Sequence, residues 1–319
     1  MEYKRIFTPL SSAASLFFLL NICASCGYSK TNAVQTVAAA PIDTITSFVL
    51  PTLPPMLNTP ELRADYLVRH YWENVNFADT NYIHHPEVTE QAWVDYIDVL
   101  KLVSPQTADT ALKEVFAQAE KEKKCYLYMA ELADKYLYDP NSPMRNEELY
   151  VSVLNAMLAS PILDETEKIR PEARRELALK NRIGTKAMNF IYTLASGKEG
   201  NLYALHAPYT LLFINNPGCH ACAETIELLK QATAINQVIA KKQLQILSLY
   251  PDTDLEEWNR HLYDFPKEWI NGYDKKQMIE NKNLYDLKAI PTLYLLDKNK
   301  IVLLKDATVA EIEEYLNKQ

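Results

Sequence analysis

The chain has 319 residues, of which 48% are hydrophobic and 23% charged, a globular balance that excludes wholesale disorder and collagen-like repetition. Length alone predicts roughly two domains, and only six glycines favour helices over a turn-rich all-β fold. The formal net charge of -8 indicates no surface for nucleic acid, and five cysteines are too few for a scaffold held by disulfides.

The N-terminal residues have the pattern of a secretory signal. Lys4 and Arg5 give a positive start, and the apolar run over 16–20 follows. This run is too short and too close to the N-terminus for a spanning helix. We therefore predict that residues 1–25 are a signal peptide. No later apolar run reaches the roughly 18 residues that a bilayer requires.

Cys26 follows the small pair Ala24-Ser25, and this pattern resembles the lipobox of bacterial lipoproteins with Cys26 as the lipidated residue. The chain departs from that motif at Cys23, where leucine is usual. Two alternatives stay open: Cys23 heads a poorer site, or an ordinary secretory signal holds two incidental cysteines. A lipid on Cys26 would hold the protein on a membrane from outside the cytosol. The expected location is the bacterial cell envelope, facing the periplasm.

Two regions of different composition come next. Residues 26–58 have no amphipathic periodicity and hold several prolines, which predicts a flexible tether. Residues 59–186 are predicted to be helical, because apolar side chains recur at helical spacing, as in Trp93, Ile97, Leu100 and Val103, or in Cys125, Met129, Leu132 and Tyr136. We expect a bundle of five or six helices with a tyrosine-rich core.

Two pairs in this region have the form of a helix start. In Thr59-Pro60 and again in Ser142-Pro143, a capping residue precedes a proline. Proline is favoured at the first position of a helix because it lacks the N–H group that would have no partner there. Each pair therefore predicts the start of a helix.

The periodicity changes within residues 187–319. Short β-branched, aromatic or continuously apolar runs predict strands at 190–194, 210–214, 244–249, 292–296 and 301–304. Amphipathic stretches between and after them predict helices at 220–240, 253–264, 274–286 and 308–317. This order predicts an α/β sandwich, so the fold class is an all-α bundle followed by an α/β domain.

A Cys-x-x-Cys pair stands where a predicted strand gives way to a predicted helix. Cys219 would lie at the helix N-terminus, where free N–H groups and the helix dipole favour an anion and lower the thiol pKa from about 8.5. Such a thiolate attacks a disulfide, and Cys222, one turn along, can resolve the mixed disulfide. We predict that Cys219 is the nucleophile and Cys222 the resolving thiol. A protonated His220 would further stabilise the thiolate.

Other uses of the pair fit less well. A structural zinc site usually needs four ligands, and Cys125 on an apolar helical face is the one further cysteine beyond the N-terminal segment. Covalent haem attachment needs histidine directly after Cys222, where the chain has Ala223. A permanent structural disulfide stays open. We expect no metal and no cofactor other than the redox-active Cys219–Cys222 disulfide.

The second signature is Ile290-Pro291, about 70 residues on and immediately before a predicted strand. Proline tolerates a cis peptide bond far better than other residues do. A cis bond would turn the backbone of Ile290 toward the cysteine pair. Its N–H and C=O groups could then pair with an extended substrate segment.

With both signatures present, residues 187–319 resemble a thioredoxin-fold domain, specifically the TlpA-like thiol-disulfide oxidoreductases of bacterial envelopes. The segments that carry the resemblance are Ala187 to Leu194, Leu212 to Cys222 and Leu287 to Val302. The resemblance implies a mixed sheet flanked by helices, dithiol–disulfide exchange through Cys219 and Cys222, and a cis Pro291 beside them. Residues 59–186 are similar to a helical domain of unknown function that precedes such domains in lipoproteins of Gram-negative bacteria.

The chain departs from that family at four positions. Gly218 replaces the usual tryptophan before the first cysteine, and Ala221 replaces a common proline. Thr225 stands where an acid is common, and Phe213 replaces the buried acid of thioredoxin. In the family, these acids take part in the proton transfers that accompany thiol-disulfide exchange, so their absence affects the efficiency and direction of exchange. The nucleophilic cysteine is retained. Gly218, with Ile290, is a predicted substrate contact.

These patterns predict an envelope thiol-disulfide oxidoreductase. Its expected partners are protein dithiols and disulfides, an electron donor or acceptor, and the membrane that a lipidated Cys26 would enter, with no nucleic acid. The sequence leaves the direction of exchange open. The alternative is a non-catalytic binding module, in which the thioredoxin fold carries a structural disulfide and the helical domain binds an envelope partner.

Overall fold

The computed structural model describes residues 47–319. The predicted signal peptide, Cys26 and residues 26–46 of the predicted tether lie outside the described residues. The end of the predicted tether contacts the bundle, since the ring of Phe48 stacks on Tyr71 with 5.1 Å between ring centroids. No helix in the described part of the chain is long and apolar enough to cross a membrane.

The first half of the described chain is a helical bundle, which confirms the predicted all-α region. Its six α-helices within residues 47–186 are α1 Pro60–His70, α2 Pro86–Leu100, α3 Pro105–Ala119, α4 Lys123–Ala133, α5 Glu147–Ala159 and α6 Glu165–Ala178. A 3₁₀-helix at Thr80–His84 and a π-helical turn at Asp134–Tyr138 join them. The core is aromatic as expected, with fully buried Trp72, Trp93, Tyr96, Tyr126 and Tyr150.

Of the two predicted helix starts, one is confirmed and one is wrong. The side chain of Thr59 caps α1 and accepts a backbone N–H, as expected. Ser142-Pro143 does not start a helix, because α5 begins at Glu147. The hydroxyl of Ser142 instead donates a 2.7 Å hydrogen bond to the carbonyl of Tyr136, so this side chain stabilises a turn.

The second half is a mixed sheet flanked by helices, which confirms the predicted α/β class. Its strands among the described residues are β1 Ile191–Leu194, β2 Glu199–Asn201, β3 Tyr209–Ile214, β4 Leu244–Tyr250, β5 Ile270–Tyr273, β6 Thr292–Asp297 and β7 Val302–Lys305. Their order across the sheet is β2-β1-β5-β4-β3-β6-β7. The helices are α7 His220–Gln231, α8 Thr233–Ala240, α9 Leu255–Arg260, α10 Met278–Asn281 and α11 Val309–Asn317.

Strand β3 lies inside the sheet, parallel to β4 and antiparallel to β6. Its side chains alternate between two cores. Leu212 and Ile214 enter the core on one face, and Leu211 and Phe213 enter the core that includes residues of α7 and α11 on the other. A strand that is buried on both faces has a continuous run of apolar residues, which explains why β3 could be predicted from the sequence.

Three predicted helices differ from the structure. The predicted helix at 253–264 is α-helical only over Leu255–Arg260 and is followed by a 3₁₀-turn at Leu262–Asp264. The predicted helix at 220–240 is broken at Ala232, whose extended backbone separates α7 from α8. The predicted helix at 274–286 is reduced to α10. Gln277 and Asn283 flank α10 with φ angles of 48° and 47°. These are left-handed conformations that a right-handed helix cannot include.

Strand β5 was not predicted, because it contains the turn-like pair Asn271-Gly272. Glycine is required there by a close approach. A Cβ atom at Gly272 would lie 2.9 Å from the ring of Tyr192 on the neighbouring strand. Packing against a side chain distant in sequence therefore selects a residue that local propensity assigns to a turn.

The outer edge of β7 is covered by the segment that links the bundle to the sheet. Gly184 donates its N–H to the carbonyl of Val302 at 2.8 Å, and Val302 donates to Thr185 at 2.9 Å. Ala187 donates to Lys300 at 2.8 Å. The opposite edge is β2, which is only three residues long.

We expect Leu212→Ala to lower the free energy of unfolding by about 2–5 kcal/mol, because it leaves a cavity in the buried central strand. The matched control is Leu228→Ala in α7, where the leucine is 55% exposed and the change should stay within about 0.5 kcal/mol. Urea unfolding of both variants measures the difference. Equal losses would contradict the assigned position of β3.

Candidate active site

Cys219 lies at the start of α7, five residues beyond the end of β3. Gly218 makes the turn with a φ of 77°, a conformation that favours glycine. Cys219 is the N-cap residue, and its side chain makes no capping hydrogen bond. Its thiol is free and partly exposed, so its sulfur is available for chemistry.

Cys222 lies one turn into the same helix and is buried, with 2% of its surface exposed. Its thiol is also free, and Sγ accepts the backbone N–H of Asn216 at 3.4 Å. Burial raises the pKa of Cys222 to about 12; the Asn216 N–H opposes this shift and the adjacent Cys219 adds to it. The two cysteines therefore differ in access, with the first open to a partner and the second shielded.

The backbone before β6 faces the first cysteine. The peptide bond between Ile290 and Pro291 is cis, and the thiol of Cys219 points at the carbonyl oxygen of Ile290 from 3.8 Å. The strand pairing brings the two segments together, because β6 starts beside Ile214, the last residue of β3. The predicted nucleophile and the predicted substrate-binding backbone thus meet at one place.

His220 extends into solvent, with 90% of its side chain exposed. Its Nε2 lies 3.1 Å from Oε1 of Glu224, one turn along the helix. The predicted role of His220 as a thiolate stabiliser stays a prediction. At Gly218, a Cβ atom would meet Oε1 of Glu257 at 3.0 Å. The absence of a side chain therefore leaves room for a carboxylate beside the first cysteine.

A groove of about 270 Å³ opens beside the cysteines. It is lined by both cysteines, the 215–218 turn, and the side chains of Ile226, His261, Asp264 and Phe265. Its floor includes buried Asn215, which donates a 2.8 Å hydrogen bond to the hydroxyl of Ser248. The groove gives the exposed sulfur a partly polar, partly apolar surrounding.

His261 is a groove residue that sequence reasoning missed. Its Nδ1 lies 2.7 Å from Asp264 and its Nε2 3.1 Å from Glu257. The hydrogen bond to Asp264, joined by the one to Glu257, raises the pKa of His261. The spacing of three and four residues between acids and histidine was the available signal, since such residues share one helical face.

Phe213 stands at the position where thioredoxin has a buried acid. Its side chain is fully buried and meets Trp269 edge-to-face, with 6.4 Å between ring centroids. The strand therefore presents an apolar ring to this core. Polar residues in the lining of the cysteine groove come instead from the 215–218 turn and from His261 and Asp264.

The third free cysteine lies away from the groove. Cys125 is buried in the helical bundle, and its thiol points at the carbonyl of Asp79 from 3.6 Å. Within residues 47–319, no three His, Cys, Asp or Glu side chains are grouped so that they could hold a metal ion.

Comparison with known proteins identifies the family. Residues 25–181 match the model of a domain of unknown function (DUF5106), and residues 208–302 match a model described as thioredoxin-like. The chain is similar to the crystal structure of a thioredoxin-like protein from Bacteroides caccae: they are 65% identical, the TM-score is 0.84, and the match covers 86% of this chain and all of that one. The chain belongs to the thioredoxin-like family.

Shorter solved structures match part of this thioredoxin-like chain. The C-terminal domain of an uncharacterized protein from Bacteroides fragilis is 66% identical over 43% of this chain and 98% of that one, with a TM-score of 0.43. A domain of a possible thiol-disulfide isomerase from Cytophaga hutchinsonii is 30% identical over 44% and 94%, with a TM-score of 0.39. No curated protein matches the chain.

The unequal access of the cysteines predicts selective alkylation of the reduced protein. With a pKa of about 12, only about one Cys222 thiol in ten thousand is ionised at pH 8. We expect iodoacetamide at this pH to label Cys219 and to spare Cys222 and the buried Cys125, as measured by peptide mass spectrometry. In urea all three should react. Equal labelling of Cys219 and Cys222 in the folded protein would contradict the assigned geometry.

Proposed function

We propose that this thioredoxin-like chain is a thiol-disulfide oxidoreductase of the bacterial envelope, with Cys219 as nucleophile and Cys222 as resolving thiol. The observation that carries the proposal is the position of Cys219. Its free, partly exposed sulfur lies at a helix N-terminus and faces the Ile290 carbonyl at 3.8 Å. A helix N-terminus favours the thiolate, which is the attacking species.

The exchange proceeds in two balanced steps. The Cys219 thiolate attacks one sulfur of a partner's disulfide, a mixed disulfide forms, and the other partner sulfur leaves as a thiolate that takes up a proton. Cys222 then loses its proton and attacks Sγ of Cys219, which releases the second partner thiol. The partner disulfide is reduced by two electrons and the Cys219–Cys222 pair is oxidised. A dithiol donor resets the pair, and the same steps in reverse oxidise a dithiol.

The buried position of Cys222 fits the second step. An incoming partner meets the exposed sulfur first, and the resolving thiol lies one helical turn away, which is within reach of Cys219. When Cys219 is in a mixed disulfide, it has no proton to give to the carbonyl of Ile290. We propose that this carbonyl and the N–H of the same residue then pair with the extended partner segment.

Mutation of the second cysteine tests the proposal. We expect Cys222→Ser to accumulate partners bound to Cys219, because the mixed disulfide can no longer be resolved. The matched control is Cys219→Ser, which should trap none. Acid-quenched cell envelopes resolved on non-reducing gels measure the adducts. If Cys222→Ser carries no covalent partner and the wild type does not reduce insulin, the chain is better described by the alternative, a binding module with a structural disulfide.

We also propose that a lipid on Cys26 holds the protein on a membrane, facing the periplasm. The support is the positive start at Lys4 and Arg5, the apolar run over 16–20, and the small pair before the cysteine. The acyl chains would supply the affinity, since each buried methylene contributes about 0.8 kcal/mol and stable anchoring needs more than one chain.

Fractionation of cells expressing the full chain tests this anchor. We expect Cys26→Ser to move the protein from the membrane pellet to the soluble fraction, because no acyl chain can be attached. Cys23→Ser is the matched control and should stay in the pellet. Release by Cys23→Ser alone would identify Cys23 as the modified residue, and retention of both variants would reject a lipid anchor at either cysteine.

A further inference from the structure

A buried group of charged side chains joins the helical bundle to the backbone that faces Cys219. We call it the charge cluster; its members are Glu147, Asp286, Lys288, Lys305 and Asp306. Each of these side chains is at most 15% exposed. Glu147 is the first residue of α5 in the bundle, and the other four belong to the thioredoxin-like half.

Lys288 is at the centre of the charge cluster. Its Nζ lies 3.0 Å from Asp286, 3.5 Å from Glu147 and 3.6 Å from Asp306. Glu147 also forms an ion pair with Lys305. The bundle adds a ring beneath the ammonium group, since Nζ of Lys288 lies 5.0 Å from the ring centroid of Tyr138.

The charge cluster fastens both ends of a short backbone segment, residues 288–292, which we call the Pro291 segment. At its start, the side chain of Lys288 is held by three carboxylates. At its end, the hydroxyl of Thr292 donates a 2.8 Å hydrogen bond to Asp306. The carbonyl of Ile290, which faces Cys219, lies between these two anchor points.

The bundle also reaches Asp306 through its backbone. Arg145, two residues before Glu147, donates a 2.8 Å hydrogen bond from its guanidinium to the carbonyl of Asp306. The bundle is therefore linked to both ends of the Pro291 segment. Glu147 contacts Lys288 at its start, and Arg145 contacts Asp306, which binds Thr292 at its end.

Burial makes these charges depend on one another. Burial raises the pKa of Glu147, and Lys305 and Lys288 oppose that shift. Burial alone would lower the pKa of Lys288, but Asp306, Asp286 and Glu147 together outweigh it and raise that pKa. Removing one member of a buried ion-pair group leaves the others without compensation. Loss of the Glu147 charge would remove one of the three carboxylates around Lys288, which lies two residues from Ile290.

We propose that Glu147 is a positioning residue for the exchange reaction: it holds the Pro291 segment in the geometry that pairs with an extended peptide carrying a disulfide. This inference rests on the proposed function and gives the helical bundle a part in it. None of the described bundle residues is in the lining of the groove beside the cysteines. It fixes the backbone that receives the substrate beside that sulfur.

The test compares Glu147→Gln with Glu148→Gln in the full chain. Both changes remove one carboxylate from the first turn of α5, but Glu148 pairs with Arg182 on the bundle and is 55% exposed. Reduced protein is mixed with an extended synthetic peptide that carries an interchain disulfide, and separately with bis-hydroxyethyl disulfide, which has no peptide backbone. The peptide concentration is varied to separate half-saturation from maximal rate.

We expect Glu147→Gln to raise the half-saturating peptide concentration about fivefold. This factor corresponds to a loss of binding free energy of roughly one hydrogen bond. The maximal rate and the rate with bis-hydroxyethyl disulfide should stay at wild-type values. Glu148→Gln should leave all three unchanged. A wild-type half-saturation in Glu147→Gln, or an equal rise in Glu148→Gln, would overturn the inference.

Hydrogen–deuterium exchange supplies a readout that does not need activity. We expect faster exchange in peptides that span residues 288–297 of Glu147→Gln and not of Glu148→Gln. If Glu147→Gln does not fold, Arg145→Gln replaces it with the same expected pattern. If the wild type reacts with neither disulfide, the proposed function fails, and unchanged exchange at 288–297 would then reject the positioning role as well.

Discussion

The structure depends on the way one buried strand ends. Strand β3 has paired strands on both edges and cores on both faces, and its pairing with both neighbours ends at Ile214. The chain then turns through Gly218 and enters α7, which leaves the sulfur of Cys219 at the free N–H groups of the helix. Because β6 pairs with the same strand, the Ile290 carbonyl is brought to that sulfur by the same constraint. The chemistry proposed for this family member follows from where the strand ends.

Local patterns in the sequence were sufficient to predict those parts of the site that are formed by residues close together in the chain. The apolar run of β3, the spacing of Cys219 and Cys222, and a proline before a strand are each readable within a few residues. The same holds for the all-α character of the first half, where apolar positions recur at helical spacing. Where local propensity and packing disagree, as at Gly272 against Tyr192, sequence reasoning missed the strand.

Contacts between residues far apart in the chain could not be predicted from the sequence. Glu147 and Lys288 are separated by 141 residues, and nothing in either neighbourhood indicates that the two side chains meet. His261 lay in a stretch predicted to be helical, and its relation to the cysteine groove depends on how the loop after β4 folds back. The described residues 47–319 belong to one compact unit, so contacts between bundle and sheet are part of the fold. A pattern that describes one element at a time cannot supply them.

The covered edge of β7 has a consequence for how another chain can approach. Residues 184–187 already pair with Val302 at the start of that strand and with Lys300 just before it, and the opposite edge offers only the three residues of β2. Long open edges are where sheets of separate molecules join and grow into aggregates. Separate copies of this chain would therefore find few free backbone groups to pair with at either end of this sheet.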